Sequence, residues 1–323
     1  MDGDAIRAAA RLLEAGKLVG MPTETVYGLA ADAGNPDAVA AIFAAKGRPS
    51  NHPVIVHVAR DADLSHWAAE VPSEAHQLIN AFWPGPLTLI LQCAADVPAA
   101  VTGGQASVGL RCPSHPVAQA LLKEFRQGQG GLAAPSANRF GRVSPTTAQH
   151  VIDEFGAPGT GPLAAVLDGG QSEVGIESTI VDVTRLDTLG PVLLRPGRIG
   201  AVQIGEVLGL QLALPDLAAP RVSGSLDAHY APATPVALVA SSDLTRITAS
   251  LQAQGKRVVM LPCAGDAHAY AHALYAALRA LDRERADLIL VEQPPQDAAW
   301  QGVNDRLRRA AFDSAGIVQR LLA

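Results

Sequence analysis

The residues whose types and spacing carry the most chemistry lie early in the chain. Lys46-Gly47-Arg48-Pro49 sets two fixed cations beside a glycine and a proline, and Val54-Ile55-Val56-His57 follows as a short β-branched run ending in a histidine. Glycine and proline shape a turn from which both cations can point to one side. The apolar run reads as a buried strand that supports the turn. Two cations held this way suit a polyanion such as a triphosphate; the same four residues also suit a solvated basic turn. His57, alone on an apolar strand, reads by itself as a satisfied core histidine.

Further polar islands interrupt the apolar background. Pro22-Thr23-Glu24-Thr25-Val26-Tyr27-Gly28-Leu29 falls at a strand's end, where α/β sheets tend to bind ligands, or forms an ordinary loop with turn-forming hydroxyls. Thr102-Gly103-Gly104 is a glycine-rich turn before a strand that ends in Arg111. That arginine suits either a buried carboxylate clamp or the surface of an edge strand. In Ala134-Pro135-Ser136-Ala137-Asn138, Ser136 and Asn138 point the same way in an extended chain and can hydrogen-bond a phosphate, ribose or base. The bland reading is an N-cap and turn cluster, and Ser144 before Pro145 fits a helix N-cap. Gly175-Ile176-Glu177-Ser178-Thr179, Leu194-Arg195-Pro196-Gly197 and Ala228-His229-Tyr230-Ala231-Pro232 complete the set. No Walker A sequence, G-x-G-x-x-G opening a helix, G-x-S-x-G elbow or H-E-x-x-H pair occurs, so a nucleotide would be held by a different device.

The elements that must position these residues follow from periodicity and punctuation. Helices are expected over 4–15, from Pro36 to about Ala45, and over 72–82, 116–125 and 146–155. Strands are expected over 17–21, 54–58, 87–92, 107–111, 131–134, 164–167, 178–183 and 192–195. Many strands with helices between them, not in strict alternation, point to a twisted mixed sheet of α/β or α+β type. Composition changes near residue 209. Residues 214–235, with Pro215, Pro220, Pro232 and Pro235 around Ser223-Gly224-Ser225, read as a linker. Beyond it, strands over 236–240, 257–261 and 288–291 alternate with helices over 244–254, 267–283 and 303–309. That pattern suggests a small parallel, Rossmann-like sheet.

Composition bounds the function. At 48% hydrophobic and 17% charged, 323 residues can bury a full core in about two domains. A net charge of −6 argues against a broad nucleic-acid-coating surface, and 4% aromatics leave few base-stacking platforms. Cys93, Cys112 and Cys263 stand far apart, with neither zinc spacing nor a disulfide framework, and read as small core residues in a reducing compartment. With no secretory-type opening and no long apolar run, a soluble cytoplasmic protein is expected.

The order and spacing of the islands are more specific than any one of them. Thr23-Glu24-Thr25-Val26-Tyr27-Gly28-Leu29, Lys46-Gly47-Arg48-Pro49, Trp83-Pro84-Gly85-Pro86-Leu87-Thr88, Pro135-Ser136-Ala137-Asn138, Gly175-Ile176-Glu177-Ser178-Thr179 and Leu194-Arg195-Pro196-Gly197 together resemble the Sua5/YrdC/YciO family over roughly residues 5–208. His229-Tyr230-Ala231-Pro232 and Gly302-Val303-Asn304-Asp305-Arg306-Leu307 resemble its two-domain, Sua5-type members. The resemblance implies a YrdC-like catalytic domain over 1–208, a linker and lid over 209–234 and a Rossmann-like C-terminal domain over 235–323.

It also implies an activity, a threonylcarbamoyl-AMP synthase. Such an enzyme joins L-threonine, bicarbonate or CO₂, and ATP into threonylcarbamoyl-AMP, releasing pyrophosphate. The product feeds N6-threonylcarbamoyladenosine formation at position 37 of tRNA. Carried over residue by residue, Thr23, His57, Arg111, Ala134 and Ser178 are expected on the L-threonine side. Lys46, Arg48, Ser50, Thr102, Ser136, Asn138, Ser144 and Arg195 are expected on the ATP side, with Lys46 and Arg48 serving catalysis at the phosphates and Tyr230 closing over the nucleotide. Mg²⁺ is expected to come with ATP, without a dedicated protein metal site. A tRNA or double-stranded RNA contact and a downstream threonylcarbamoyl-transferase complex are the further partners implied. Two positions depart from the family's pattern: His52 adds a titratable group near the phosphates, and Ala228 stands where a basic residue is common. Set against this reading are an RNA-binding module without adenylate chemistry and a carbamoyl-transfer enzyme acting on another acceptor.

Overall fold

Short β-branched runs separated by alanine-rich amphipathic stretches set the order of elements. The structure, a computed structural model, describes residues 2–224 and 227–322. Ser225 and Leu226, inside the stretch read as a linker, and Met1 and Ala323 lie outside the described residues. The chain divides into two units, residues 1–140 with 145–225, and residues 141–144 with 226–323. The division falls within the proline-rich stretch, so its first part folds with one unit and its last part with the other.

The first unit opens with α1 (Gly3–Glu14), capped by the Asp2 carboxylate on the amides of Asp4 and Ala5. Ile6, Ala9, Ala10 and Leu13 form its buried stripe at helical spacing. β1 (Leu18–Met21) and β2 (Gly28–Asp32) follow, then α2 (Pro36–Lys46), which Asn35 caps and Gly47 ends in the left-handed region at φ 61°. Lys46 is therefore the last residue of a helix. Next come β3 (Ile55–Val58), α3 (Ser73–Phe82), β4 (Leu87–Gln92), the single turn α4 (Ala99–Thr102), β5 (Ser107–Arg111) and α5 (Pro116–Glu124). β6 (Gly131–Ala133), α6 (Ala148–Phe155), β7 (Leu163–Val166), β8 (Thr179–Asp182), the short α7 (Leu186–Leu189), β9 (Val192–Arg195) and α8 (Ala201–Leu208) complete the unit.

Its strands form one mixed sheet in the order β7-β1-β2-β6-β3-β5-β4-β8-β9. The sheet's two faces are treated differently. One face carries Leu29, Ala31, Val56, Leu89, Leu110 and Val181, and packs with residues of α2, α3, α6 and α8 into the main core. On the other face, α1 and α5 cover β1, β2 and β6 through Ile6, Leu13, Leu121, Phe125, Ala30 and Leu132. Over β3, β5, β4, β8 and β9 the cluster on that second face is Ile90, Ile180 and Val222, with Ile55 and Leu194 against it, and it draws on no helix. This half-covered face is where a ligand can reach the sheet.

Register fixes what lines it. His57 pairs with Arg111 and Ile55 with Gly109 across the parallel β3–β5 pair. Ile90 pairs with Gly109, Thr88 with Ile180 and Ile180 with Arg195. Paired residues share a face, and so do residues two apart. His57, Arg111, Thr88, Ser178 and Arg195 therefore stand as a polar band beside an apolar floor of Ile55, Ile90 and Ile180. Gly109 makes the hollow in that floor: a Cβ there would lie 3.2 Å from Ile90 Cδ1.

The second unit is a three-stranded parallel sheet, β10-β12-β11, as the alternation predicted. β10 (Val236–Val239), α9 (Ser241–Ala253), β11 (Val258–Leu261), α10 (Ala267–Arg283) and β12 (Leu288–Glu292) form two successive crossovers, followed by α11 (Gln301–Ala310) and α12 (Ser314–Leu322). Its core is Ala237, Val239, Leu251, Leu288 and Leu290. Among the described residues no helix is long and apolar enough to cross a membrane.

Most of the expected elements are present, with ends moved by one to three residues. Gly28 and Leu29 of β2 fall in a polar island of the sequence, and no strand is expected over 28–32. Gly-Leu-Ala-Ala-Asp has no β-branched or aromatic residue, and what makes it a strand is pairing with β1 and β6 on either side. α4, α7, α8 and α12 were also unforeseen.

Gly103, at φ 61°, brings the loop before β3 against the turn before β5: an added Cβ would lie 2.5 Å from the Asn51 carbonyl oxygen. Gly103→Ala should therefore cost about 1–3 kcal/mol of unfolding free energy in a denaturant titration. A change below about 0.5 kcal/mol, the range of an ordinary surface substitution, would show that the two loops do not depend on each other.

Candidate active site on the open sheet face

Arg111 ends β5 and is 4% exposed. Its Nε donates to the Gly85 carbonyl at 3.4 Å and its Nη1 to Thr25 Oγ1 at 2.8 Å, while its Nη2 lies 2.7 Å from Glu24 Oε1. A guanidinium has five N–H groups, so two directions remain for a ligand. The hydroxyls behind it have a defined direction. Thr23 Oγ1 donates to the Val26 carbonyl, which uses its only proton, so the Thr25 hydroxyl is the donor in its 2.9 Å bond to Thr23. Thr23 is thus placed one step behind Thr25, holding the loop that presents Thr25 and Glu24 to Arg111. Sequence reasoning quoted Glu24 and Thr25 within a motif without giving either a role. The signal was the motif itself, three polar residues on the loop between two strands.

His57 stands beside Arg111 and is 3% exposed. Burial, and then the Arg111 charge, push its pKa down to about 3, so the ring is neutral across the physiological range. Ala134 continues the β6 strand, its amide bonded to the Ile55 carbonyl. On the other side of Arg111, Ser178 leads into β8. Its hydroxyl pairs with Thr88 Oγ1 at 2.8 Å and accepts from Arg195 Nη2 at 3.0 Å, while its carbonyl accepts from Arg195 Nε. Arg195 Nη1 donates to the Ser223 carbonyl at 2.8 Å. Thr88, not expected as a site residue, sits between the Arg111 and Arg195 groups.

The basic turn is built differently from a pair of free cations. Lys46, 3% exposed, donates from Nζ to the backbone carbonyls of Ser136 and Asn138, both at 2.5 Å. Burial first, and Arg48 second, hold its pKa well below the usual lysine value. Two of its three donors are thus committed to the Ser-x-Asn loop, which is also pinned by the Ala137 amide on the Tyr27 carbonyl. Arg48 Nη2 donates to the Pro53 carbonyl at 2.7 Å, and its guanidinium lies 5.8 Å from the centre of the Phe43 ring. Ser50 is exposed and Thr102 buried at the end of α4. His52, set against Phe140, has its pKa lowered by burial and by Arg48 and Arg221, so it adds little charge near neutral pH.

Residues 221–223, read from sequence as linker, lie along the same face. Gln105 acts as a short strand partner for them: its Oε1 accepts from the Arg221 amide at 2.7 Å and its Nε2 donates to the Arg221 carbonyl at 3.1 Å. Val222 then covers the apolar floor. Among the expected site residues, the structure gathers Thr23, His57, Arg111, Ala134, Ser178 and Arg195 with Lys46, Arg48, Ser50, Thr102, Ser136 and Asn138 in the first unit. Ser144 and Tyr230 belong to the second. There Arg279 donates to the Ser144 carbonyl, and the Tyr230 ring is buried at φ 61° against His229, Tyr275 and the Arg306 guanidinium.

Comparison with known proteins follows this geometry. Residues 11–197 match the Sua5/YciO/YrdC family, described as "Telomere recombination". Residues 199–312 match a domain described as "Threonylcarbamoyl-AMP synthase, C-terminal domain". The chain belongs to the Sua5/YciO/YrdC family. A threonylcarbamoyl-AMP synthase of Pyrococcus abyssi (strain GE5 / Orsay) is 38% identical over 328 residues, covering 95% of this chain and 94% of its own. One of Bacillus subtilis (strain 168) is 39% identical over 332 residues, covering 95% and 92%. The crystal structure of P. abyssi Sua5 complexed with L-threonine aligns with a TM-score of 0.87 at 36% identity, over 97% of this chain and 96% of that one. The Sua5-type architecture of a large mixed sheet followed by a small parallel one is thus shared along nearly the whole chain.

The buried neutral His57 makes stability depend on pH. Unfolded histidine titrates near 6.5, whereas here the pKa is about 3. Below pH 6.5 the unfolded chain takes up a proton that the folded one does not, so stability falls by about 1.4 kcal/mol per pH unit until the folded pKa is reached. His57→Gln should remove that slope between pH 6 and 4 in denaturant titrations, about 1.4 kcal/mol per unit. An unchanged slope would show that His57 is protonated in the folded protein.

Proposed function

We propose that this chain is a threonylcarbamoyl-AMP synthase, a nucleotidyltransferase that joins L-threonine, bicarbonate or CO₂, and ATP, and releases pyrophosphate. The observation that carries the reading is Arg111. It is a buried guanidinium with two N–H directions left, on the same sheet face as the Arg195 group and in the same unit as the Lys46–Arg48 turn. Its relatives of 38% and 39% identity bear that enzyme's name, and P. abyssi Sua5 has been crystallised with L-threonine.

The chemistry asks for little covalent help from the protein. Threonine's nitrogen becomes a carbamate, and a carbamate oxygen attacks the α-phosphorus of ATP as the bond to pyrophosphate breaks. The nucleophile belongs to the substrate, so catalysis is positioning and charge stabilisation. Arg111 takes the threonine carboxylate as a planar fork. His57, being neutral, leaves that carboxylate to the guanidinium and offers the side-chain hydroxyl a hydrogen-bonding ring. Arg48, Arg195 and the third N–H of Lys46 face the phosphates, while Lys46's other two bonds set the Ser136–Asn138 loop that contacts the nucleoside. Thr102 and Ser50 border the phosphates. Mg²⁺ arrives with the triphosphate as part of the substrate. The adenylate then passes to a threonylcarbamoyl-transferase acting on tRNA.

Purified protein with Mg²⁺ and ATP should release pyrophosphate only when both L-threonine and bicarbonate are present; a folded preparation that releases none ends this reading. Lys46→Met leaves two carbonyls of the nucleoside loop without their donor and should lower turnover by at least about 100-fold, the scale of losing one preorganised charge-stabilising group. Turnover within about threefold of wild type would remove Lys46 from the site.

A further inference from the structure

We infer that Glu24 is the ammonium partner of the amino-acid substrate and the group that takes its proton, an inference that rests on the function proposed above. Glu24 is 4% exposed. Among the described residues its ion-pair partner is Arg111, whose Nη2 lies 2.7 Å from Oε1, and neither carboxylate oxygen accepts a hydrogen bond. Buried carboxylates are ordinarily satisfied by several donors. This one is held against the guanidinium with its acceptor capacity unspent.

Charge explains what it waits for. Arg111 and Glu24 form a neutral pair, so an incoming carboxylate alone would leave a net negative charge in a buried place. An α-amino acid brings both signs on adjacent atoms. Its carboxylate faces Arg111, its ammonium faces Glu24, and the two dipoles are complementary. The ammonium must then become a nucleophile, because nitrogen carrying three protons has no lone pair. It loses one proton to a Glu24 oxygen. The freed lone pair forms the N–C bond with bicarbonate, and the departing hydroxide takes a second proton from nitrogen to leave as water. The sum is ammonium, bicarbonate and carboxylate going to carbamate, water and carboxylic acid, with net charge −1 on both sides.

Glu24 also borders open space. It lines a cleft of about 390 Å³ formed with Trp83, Ser114, Glu173, Arg198 and Gln203, among others. That cleft lies around the loops after α3, β5 and β9, whereas the Lys46–Arg48 turn precedes β3. Because β3 and β5 run parallel, the two lie towards opposite ends of these strands. A proton that leaves by this cleft leaves away from the phosphates. Once that proton has gone, Glu24 is an anion again beside the carbamate anion, and their repulsion favours the carbamate's approach to the Arg195 cation, where it must react. The same carboxylate that captures the substrate thus releases the intermediate in the useful direction.

The test compares L-threonine with (R)-3-hydroxybutyrate, the same molecule without its amine, by calorimetric titration into the wild-type protein. Threonine should bind at least about tenfold more tightly, one charge-assisted contact's worth, and Glu24→Gln should bring the two ligands within about threefold of each other. In Glu24→Gln, pyrophosphate release should fall and then rise about tenfold per pH unit, as solution supplies the free amine, unlike the wild type. Equal binding of the two ligands to the wild type overturns the inference even if the variant does not fold. So does a folded variant with unchanged selectivity and pH profile. A wild type that binds threonine selectively but releases no pyrophosphate would sink the proposed function while leaving the ammonium contact standing; an active wild type without selectivity would sink only the role of Glu24.

Discussion

The first unit is organised around one buried ion pair, Arg111 with Glu24. A guanidinium at the end of a central strand would be costly to bury without a counter-charge and donors' partners on every side. The chain supplies them from two separate loops, Glu24 and Thr25 from the β1–β2 connection and the Gly85 carbonyl from the connection before β4. Thr23 behind Thr25 and the polar band on the open face follow from where that charge sits, and the charge adds to burial in keeping His57 neutral.

The second constraint is the uneven covering of the sheet. α1 and α5 cover one half of a face and leave the other to Ile55, Ile90 and Ile180, with Val222 over them. The open half is where His57, Arg111, Ser178 and Arg195 come together, on or beside β3, β5, β8 and β9, with Thr88 of β4 between. Rigidity there comes from the main core on the opposite face. A site assembled from four strands is held to a fixed spacing, which suits a reaction between two bound substrates and needs no nucleophile from the protein.

Much of this was legible in the sequence. The strands bearing His57, Arg111 and Arg195 are short apolar runs, and Arg111 and Arg195 each end theirs. The small parallel sheet of the second unit was readable from its strict alternation. What could not be read is what the neighbours decide. β2 is a strand of glycine, leucine, alanine and aspartate, made by two flanking partners. Lys46 looks like a phosphate cation in the sequence, yet spends two donors on carbonyls of residues ninety positions away, since no local pattern records such a contact. Glu24 was visible as part of a motif, but its pairing with Arg111 joins residues on different elements, and only the folded arrangement shows it.

The account stands most directly on Arg111 acting as the amino-acid fork without holding the nucleotide. Calorimetric titration of L-threonine and, separately, of Mg-ATP into Arg111→Lys tests it, because lysine keeps the charge and loses the planar pair of donors. Threonine affinity should fall by at least about tenfold while ATP affinity stays within about twofold of wild type. Unchanged threonine binding, or an equal loss for both ligands in a protein that melts like the wild type, would contradict it.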